Sequence, residues 1–484
     1  MNSFNRNNIF SSLIWKLLER GGAQGIQVVV QLILARLLGP AEFGTMAIVL
    51  VFVNLSRVFV EGGFNVALIQ KKDTDDLDYS SIYVLSLLIA TFLFLLLFFV
   101  APSLARFYSQ PQLTQVLRVS GVLLFPGALN TVQESYIARN LLFKKGAIIS
   151  LIATIISGLL GIIVAYLNFG IWALILQLIT YSYIYTYALQ WKIDWKPKFR
   201  ISWNRVKILF SYGSRILGSS LVYRLYLETR TLIIGKMFSS SALGFYQRGE
   251  QIPKVLVTNI DGAIQTVMLP TLSAKQDDVK SMKIIVQRAL KISTFVVFPM
   301  MFVLAAISKP LIFIILGAEW IESISYLMIF SFTYALWPLI TINQQTVRAL
   351  GRGDIILKTE ILKRFIGILI ILISVTLGVE AIAWGFFFER VIETFVNAWP
   401  NRRLINYSYL DQIKDILPSL VQSCIMYAVI TSVNLIEINI FIKLFLQISI
   451  GLITYIFISI IFKNESLLYL ISIVRSLLKE KKKI

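Results

Sequence analysis

Four pairs of opposite charge stand four residues apart in largely apolar surroundings: Arg57 with Glu61, Arg224 with Glu228, Glu250 with Lys254, and Glu360 with Arg364. On a helix this spacing puts both members on one face, so each pair can neutralise itself. Buried pairs of this kind often serve orientation more than binding. An ionisable group inside a bilayer-spanning helix costs about 2.5–3.5 kcal/mol, however, and by default faces a polar cavity.

The first and second apolar stretches hold Arg20, Gln24, Gln27, Gln31, Arg57 and Glu61, and the seventh and eighth hold Arg215, Arg224, Glu228, Arg230, Arg248, Glu250, Lys254 and Asp261. Seven cations thus stand against four acids. A planar guanidinium fork matches phosphate oxygens, so an excess of such groups suits a phosphate-bearing substrate. Arg57, Arg224, Arg230, Arg248 and Lys254 are the expected ligands of a diphosphate in a central cavity. Arg20 and Arg215 are expected at its cytoplasmic mouth, steering an anion inward. Glu61, Glu228 and Asp261 are candidates for ion coupling or gating. Glu61 and Asp261 both stand beside glycine, where a helix-packing role is equally open.

Other chemistries find little material. The chain has no histidine and a single cysteine, Cys424. That excludes intramolecular disulfides and argues against a metal cluster; no metal or other cofactor is expected. The run Lys71-Lys72-Asp73-Thr74-Asp75-Asp76-Leu77-Asp78 contains an Asp-x-Asp of the kind used by nucleotide-sugar transferases. Acids beside lysines in a loop are ordinarily solvated, and no nucleotide-binding domain surrounds these.

The elements that position these residues follow from hydropathy. Of 484 residues 57% are hydrophobic, and the mean hydropathy is +0.75. Stretches of about 20 apolar residues, the length of a spanning helix, recur almost from end to end. About fourteen are expected, centred near Val29, Leu50, Leu88, Leu123, Ile156, Leu178, Leu221, Val257, Val297, Phe332, Leu369, Phe387, Met426 and Leu452. The fold class is therefore an all-α polytopic membrane protein. Lys16 and Arg20 interrupt the first apolar stretch, which is expected to be retained and not cleaved as a signal peptide.

The net charge of +20 reports topology. Lys and Arg gather in alternate loops, at Arg139, Lys144, Lys145, Lys192 to Lys207, Lys275 to Lys283, Arg348, Arg352, Arg402, Arg403 and Lys479 to Lys483. The intervening loops carry chiefly Arg36, Arg106, Lys236 and Lys309. That asymmetry predicts both termini on the cytoplasmic side and gives no reason to invoke nucleic acid. Contact with anionic membrane lipids is a second effect.

An internal repeat divides the chain. Arg36-Leu37-Leu38 and Gly44 align with Lys236-Met237-Phe238 and Gly244, and Glu61-Gly62-Gly63 with Asp261-Gly262-Ala263. Pro126 matches Pro338 after a small shift. About six spans per half make the repeats parallel, with a pseudo-twofold along the membrane normal. The expected organisation is an N-terminal six-helix lobe over 1–200, a second over 201–404, two further helices over 405–463 and a basic amphipathic tail over 464–484. Pro253 is expected to break the eighth span, and the longest loops are expected around Trp191–Arg205 and Ser273–Arg288.

Several segments carry a resemblance. Ala35-Arg36-Leu37-Leu38-Gly39-Pro40-Ala41-Glu42-Phe43-Gly44 resembles the first-loop signature of Wzx-type bacterial polysaccharide exporters. So do Ala67 to Lys72, Ala101 to Ala105, Gly170 to Leu174, Leu232 to Lys236, Leu243 to Tyr246 and Leu269 to Ser273. The resemblance implies the multidrug/oligosaccharidyl-lipid/polysaccharide exporter fold. It further implies movement of an undecaprenyl-diphosphate-linked oligosaccharide to the outer leaflet of a bacterial plasma membrane, with a polysaccharide polymerase and assembly proteins as partners. Relatives often carry an Asp-Asn type sequence where this chain has Glu228-Thr229-Arg230, so the candidacy of Glu228 rests on its place in the span and not on the resemblance. Ion-driven multidrug efflux is the alternative within the same architecture, although it expects an acidic cavity. A membrane glycosyltransferase or polymerase would need a larger extramembrane loop or an exposed carboxylate site.

Overall fold

A computed structural model describes residues 22–469 and 471, with only the backbone described at Tyr212 and Arg215. The described residues form helices and no strand. Arg20 and most of the expected basic tail, residue 470 and 472–484, lie outside them.

Helices α1 (Gln24–Leu37) and α2 (Pro40–Glu61) are separated by an extended Leu38 and by Gly39, and Pro40 opens α2. Proline suits that place because its missing N–H would have had no helical partner. Gly62 and Gly63, at φ +52° and +70°, interrupt the span before α3 (Phe64–Gln70). Left-handed backbone of this kind is strained for residues with a Cβ. Asp75 then caps α4 (Asp76–Phe107) in a reciprocal capping box with Asp78.

The next rod is broken. Helix α5 (Leu113–Ser120) passes through a 3-10 turn at Gly121–Leu123 into α6 (Leu124–Arg139), with Pro126 in its first turn. Helices α7 (Phe143–Tyr166) and α8 (Trp172–Lys192) follow, then α9 (Trp203–Met237), which leads through Ser239 into α10 (Ser240–Ser273). Pro253 and Pro270 sit inside α10 without ending it, so the expected break at Pro253 is not a helix boundary. Spanning helices can re-satisfy the carbonyl that a proline frees.

Helix α11 (Val279–Ala306) begins where the Asp278 side chain accepts the Ser281 backbone N–H, which converts most of the expected Ser273–Arg288 loop into helix. Helix α12 (Ser308–Ile315) precedes a second broken rod, α13 (Ser323–Ala335) and α14 (Trp337–Ala349), with Pro338 in the opening turn of α14. Pro126 and Pro338 thus play the same role. The chain continues through α15 (Gly353–Ser374), α16 (Val379–Ala398), the short α17 (Asn401–Leu404), α18 (Tyr409–Ser432) and α19 (Ile440–Ile461).

All fourteen expected centres lie in helical segments. Among the described residues, eight helical rods are long and apolar enough to cross a membrane, two of them being α2 with α3 and α13 with α14. The charge-bearing α9 and the short α1 are not among these eight. Faces such as Phe92, Leu95 and Phe99 on α4, or Phe445, Ile453 and Phe457 on α19, are exposed. In water such continuous apolar faces would drive association; in lipid they are the normal outer surface.

The chain separates into two compact units, Met1–Gly244 and Phe245–Ile484. In the first, Phe64, Leu68, Tyr79, Ile82, Val132, Leu189 and Trp195 form a buried cluster. Elsewhere in this unit the repeat-matched glycines meet each other's helices. A Cβ on Gly44 would fall 1.7 Å from the Ser240 carbonyl oxygen, and one on Gly244 would fall 2.0 Å from that of Pro40. Only glycine permits backbones this close. In the second unit Asn343 and Gln412 exchange two amide hydrogen bonds at 2.8 and 3.0 Å, and Asn401 donates to the same Asn343 oxygen at 2.6 Å. This closed amide cluster ties α18 to α14 and α17.

Candidate functional site

In the first unit the expected phosphate ligands lie on α2 and α9. Arg57 reaches Glu61 at 3.3 Å, and the two side chains are 45% and 48% exposed. The Arg57 stem lies over Gly127 on α6, where an added Cβ would come within 3.5 Å of it. Arg224 stands 3.9 Å from Glu228, again with the cation half exposed. Exposing such groups to lipid near the middle of a span would carry the full insertion cost, so these faces require water. Arg230 is buried, its guanidinium 5.8 Å from the centre of the Tyr226 ring in a cation–π arrangement. Arg215 lies on α9 with its side chain outside the described residues.

In the second unit Arg248 is buried on α10, donates to Gln251 and stands 6.0 Å from the Trp320 ring centre. Lys254 lies 3.2 Å from Glu250, which also accepts the Tyr334 hydroxyl at 2.6 Å. Asp261 is buried and accepts from Thr341 on α14 and, at 2.6 Å, from Gln265. The two matched acids therefore differ: Glu61 ends a helix at a double-glycine break, whereas Asp261 lies within continuous helix and binds across to α14. Arg57, Arg224, Lys254 and Arg248 each meet a partner on their own helix, as their spacing allows.

A largely buried network runs from Glu250 to the Glu360–Arg364 pair through residues that the sequence did not single out. Tyr334 stacks on Trp337 with ring centres 5.2 Å apart. Arg390 on α16 lies 4.6 Å from the ring centres of both Trp337 and Phe386 and pairs with Glu393 one turn away. Asn397 donates to the Glu393 carbonyl at 2.8 Å and accepts from Lys363 at 3.3 Å. Lys363 also pairs with Glu360, as does Arg364 at 3.0 Å, while Gln344 donates to Glu360 at 3.1 Å. Glu389 is likewise buried. The missed signal was spacing of three instead of four: Glu360 with Lys363, and Arg390 with Glu393, share a helix face just as well.

The Asp-x-Asp run forms a structural clasp. Asp76 accepts from Trp195 Nε1 at 2.7 Å and from Lys198, while Arg205 lies 3.0 Å from Asp75 and 3.6 Å from Asp78. Lys71 pairs with Asp78. The Asp78 backbone N–H, helped by the Arg205 guanidinium, holds the Asp75 carboxyl below its ordinary range. The Arg139 guanidinium donates to the Leu68 carbonyl at 2.8 Å, the Lys72 carbonyl at 3.0 Å, the Thr74 hydroxyl at 2.8 Å and the Lys71 carbonyl. These acids are occupied in fastening the start of α4 to the turn after α3, to the chain leaving α8 and to α9, while Arg139 ties the same turn to α6.

Comparison with known proteins places this architecture. The family model described as polysaccharide biosynthesis protein matches residues 33–325. The chain is 25% identical over 316 residues to the succinoglycan biosynthesis transport protein ExoT of Rhizobium meliloti (strain 1021), covering 65% of this chain and 64% of that one. It is 25% identical over 302 residues to the teichuronic acid biosynthesis protein TuaB of Bacillus subtilis (strain 168), covering 62% of each. It therefore spans less than two thirds of the length of these two relatives. With the lipopolysaccharide biosynthesis protein WzxC of Escherichia coli (strain K12) the identity is 20% over 422 residues, covering 86% of this chain and 82% of that one.

Among solved structures, the lipid II flippase MurJ in an inward closed conformation superposes with a TM-score of 0.75 at 18% identity, over 93% of this chain and 98% of that one. An inward-facing multidrug resistance MATE family transporter of the MOP superfamily gives 0.57 at 14%, over 80% and 98%. At such identities the likeness is one of fold. Because the family model covers more than half of its length, this polytopic membrane protein belongs to the polysaccharide biosynthesis protein family.

Proposed function

We propose that this chain is a flippase that carries a lipid-linked oligosaccharide, joined to its undecaprenyl anchor through a diphosphate, from the cytoplasmic to the outer leaflet of a bacterial plasma membrane by alternating access. The glycan would serve surface polysaccharide assembly, alongside a polymerase and its partner proteins, and both termini would be cytoplasmic. The reading is supported by family membership and by relatives named for polysaccharide transport. The lobes proposed for the work are 1–200 and 201–404, followed by two helices over 405–463.

The observation that carries it is the water-demanding exposure of Arg57 and Arg224 on spanning helices. An ion pair that solvent reaches is worth only about 0–1 kcal/mol, so a diphosphate can displace Glu61 or Glu228 at little cost. Its oxygens then gain charge-assisted bonds to guanidinium. Arg57, Arg224, Arg230, Arg248 and Lys254 are the proposed headgroup ligands, with Arg20 and Arg215 steering entry. Glu61, Glu228 and Asp261 are the proposed gating or coupling acids. No covalent step is assigned to the protein.

The test is leaflet transfer of a fluorescent, diphosphate-linked glycan in vesicles containing purified protein. Transfer above that of empty vesicles is expected, reduced by Arg57→Gln and Arg224→Gln. No transfer with the correct glycan defeats the proposal. Drug hypersensitivity of a deletion strain with normal surface polysaccharide would favour efflux, and chain elongation by the purified protein would favour a polymerase.

A further inference from the structure

We propose that the second unit carries a separate anion site, a pocket for the phosphate headgroup of an anionic phospholipid, where α11, α18 and the chain leaving α19 converge. The proposal is independent of the transport reading and requires only that the protein sit in a membrane.

The cavity measures about 630 Å³ and is lined by Lys291, Lys414, Lys463 and Asn464 among its polar residues. Pockets of roughly 300–1,000 Å³ hold ligands of small-molecule size. Lys291 is committed: its ammonium lies 3.3 Å from Asp415 and 3.0 Å from Glu465. That leaves the other two lysines of the lining: Lys414, which attracts Asp411 only at longer range, and Lys463; neither ammonium has a carboxylate within 4 Å among the described residues. Two carboxylates and three ammonium groups give the lining a surplus positive charge.

The local backbone builds this arrangement. Pro418 lies inside α18 and cannot donate to the carbonyl four residues earlier, which belongs to Lys414. At the other wall Lys463 adopts φ +47°, a left-handed turn that costs a lysine some strain. The turn is fastened underneath, where Asn464 and Ser459 each donate to the buried Gln422 at 3.1 Å.

The remaining wall selects the source of the phosphate. Leu417, Val421 and Phe462 line the same pocket and are exposed. A free phosphate has no use for that surface, whereas a phospholipid sets its headgroup on the lysines and its glycerol and upper acyl carbons on the apolar side. The site also lies at one shared end of α18 and α19, the level at which headgroups meet helix ends, and basic pockets between spanning helices are recognised by anionic headgroups in this way.

The test uses the full chain purified in detergent, with bound lipid counted by native mass spectrometry and stability followed by thermal unfolding. Phosphatidylglycerol is expected to be retained roughly tenfold more than phosphatidylcholine, a difference of about 1.4 kcal/mol. Lys414→Gln combined with Lys463→Gln should abolish that preference, and the corresponding pair of arginine substitutions should keep it. Lys275→Gln, in the α10–α11 connection, with Lys280→Gln, in the first turn of α11, should leave it unchanged. Phosphatidylglycerol should raise the unfolding midpoint and inorganic phosphate should not. Equal retention of the two lipids, undiminished preference in the folded glutamine variant, or the same thermal shift from phosphate alone would overturn the proposal.

Discussion

The two compact units differ in where most of the charge within their apolar helices lies. In the first, Arg57 with Glu61 and Arg224 with Glu228 are loose same-helix pairs with solvent-reachable cations. Its buried polar contacts are mostly neutral, as between Gln31 and Gln177 or Ser135 and Asn65. In the second, Lys254 with Glu250 repeats that exposed pairing, but Lys363, Arg390 and Glu393 are buried, in contact with aromatic rings and an amide across α14 to α16. The matched acids differ too, Glu61 half exposed and Asp261 buried, so repeat-matched position does not dictate surroundings. A reachable pair can trade partners, whereas a buried network is bound to the packing that satisfies it.

This contrast can be broken by substitution. Glu393→Leu removes the carboxylate paired with Arg390 and should destabilise the purified protein by about 3–5 kcal/mol, measured by unfolding in detergent. Tyr334→Phe removes one hydrogen bond to the Glu250 carboxylate and should cost about 1.5–3 kcal/mol. Arg57→Gln should change stability by no more than about 1 kcal/mol while lowering glycan transfer. A large stability loss there, or none at Glu393, would erase the distinction. The smallest effect belongs to the clasp. Because the folded-state pKa of Asp75 is lowered, its stabilisation is complete above the ordinary value of 3.8 and is lost as pH falls through the lowered one. Asp75→Asn should remove that acid-dependent part of the unfolding midpoint.

The helical rods were legible because a bilayer demands long apolar runs, and every expected centre lies in helix. Same-helix pairing at spacing four was equally legible. The buried network was not, since Lys363 meets Asn397 and Tyr334 meets Glu250 only through packing of helices distant in sequence. The internal repeat matches charges in the first, second, seventh and eighth spans and says nothing of Glu389, Arg390 and Glu393. The acidic run could not be resolved from sequence because Trp195 and Arg205 lie far from Asp75 and Asp76.

The Arg139 contacts carry a consequence for biogenesis. During synthesis from the N-terminus, the carbonyls of Leu68, Lys71 and Lys72 emerge well before the guanidinium that binds them, and Asp75 and Asp76 precede Trp195, Lys198 and Arg205 by longer stretches still. The turn after α3 must therefore stay hydrated while later helices insert. It gains its final bonds in two instalments, first from the end of α6 and then from the start of α9. Ribosome-bound chains halted before residue 205 should leave this turn open to protease, and longer ones should close it.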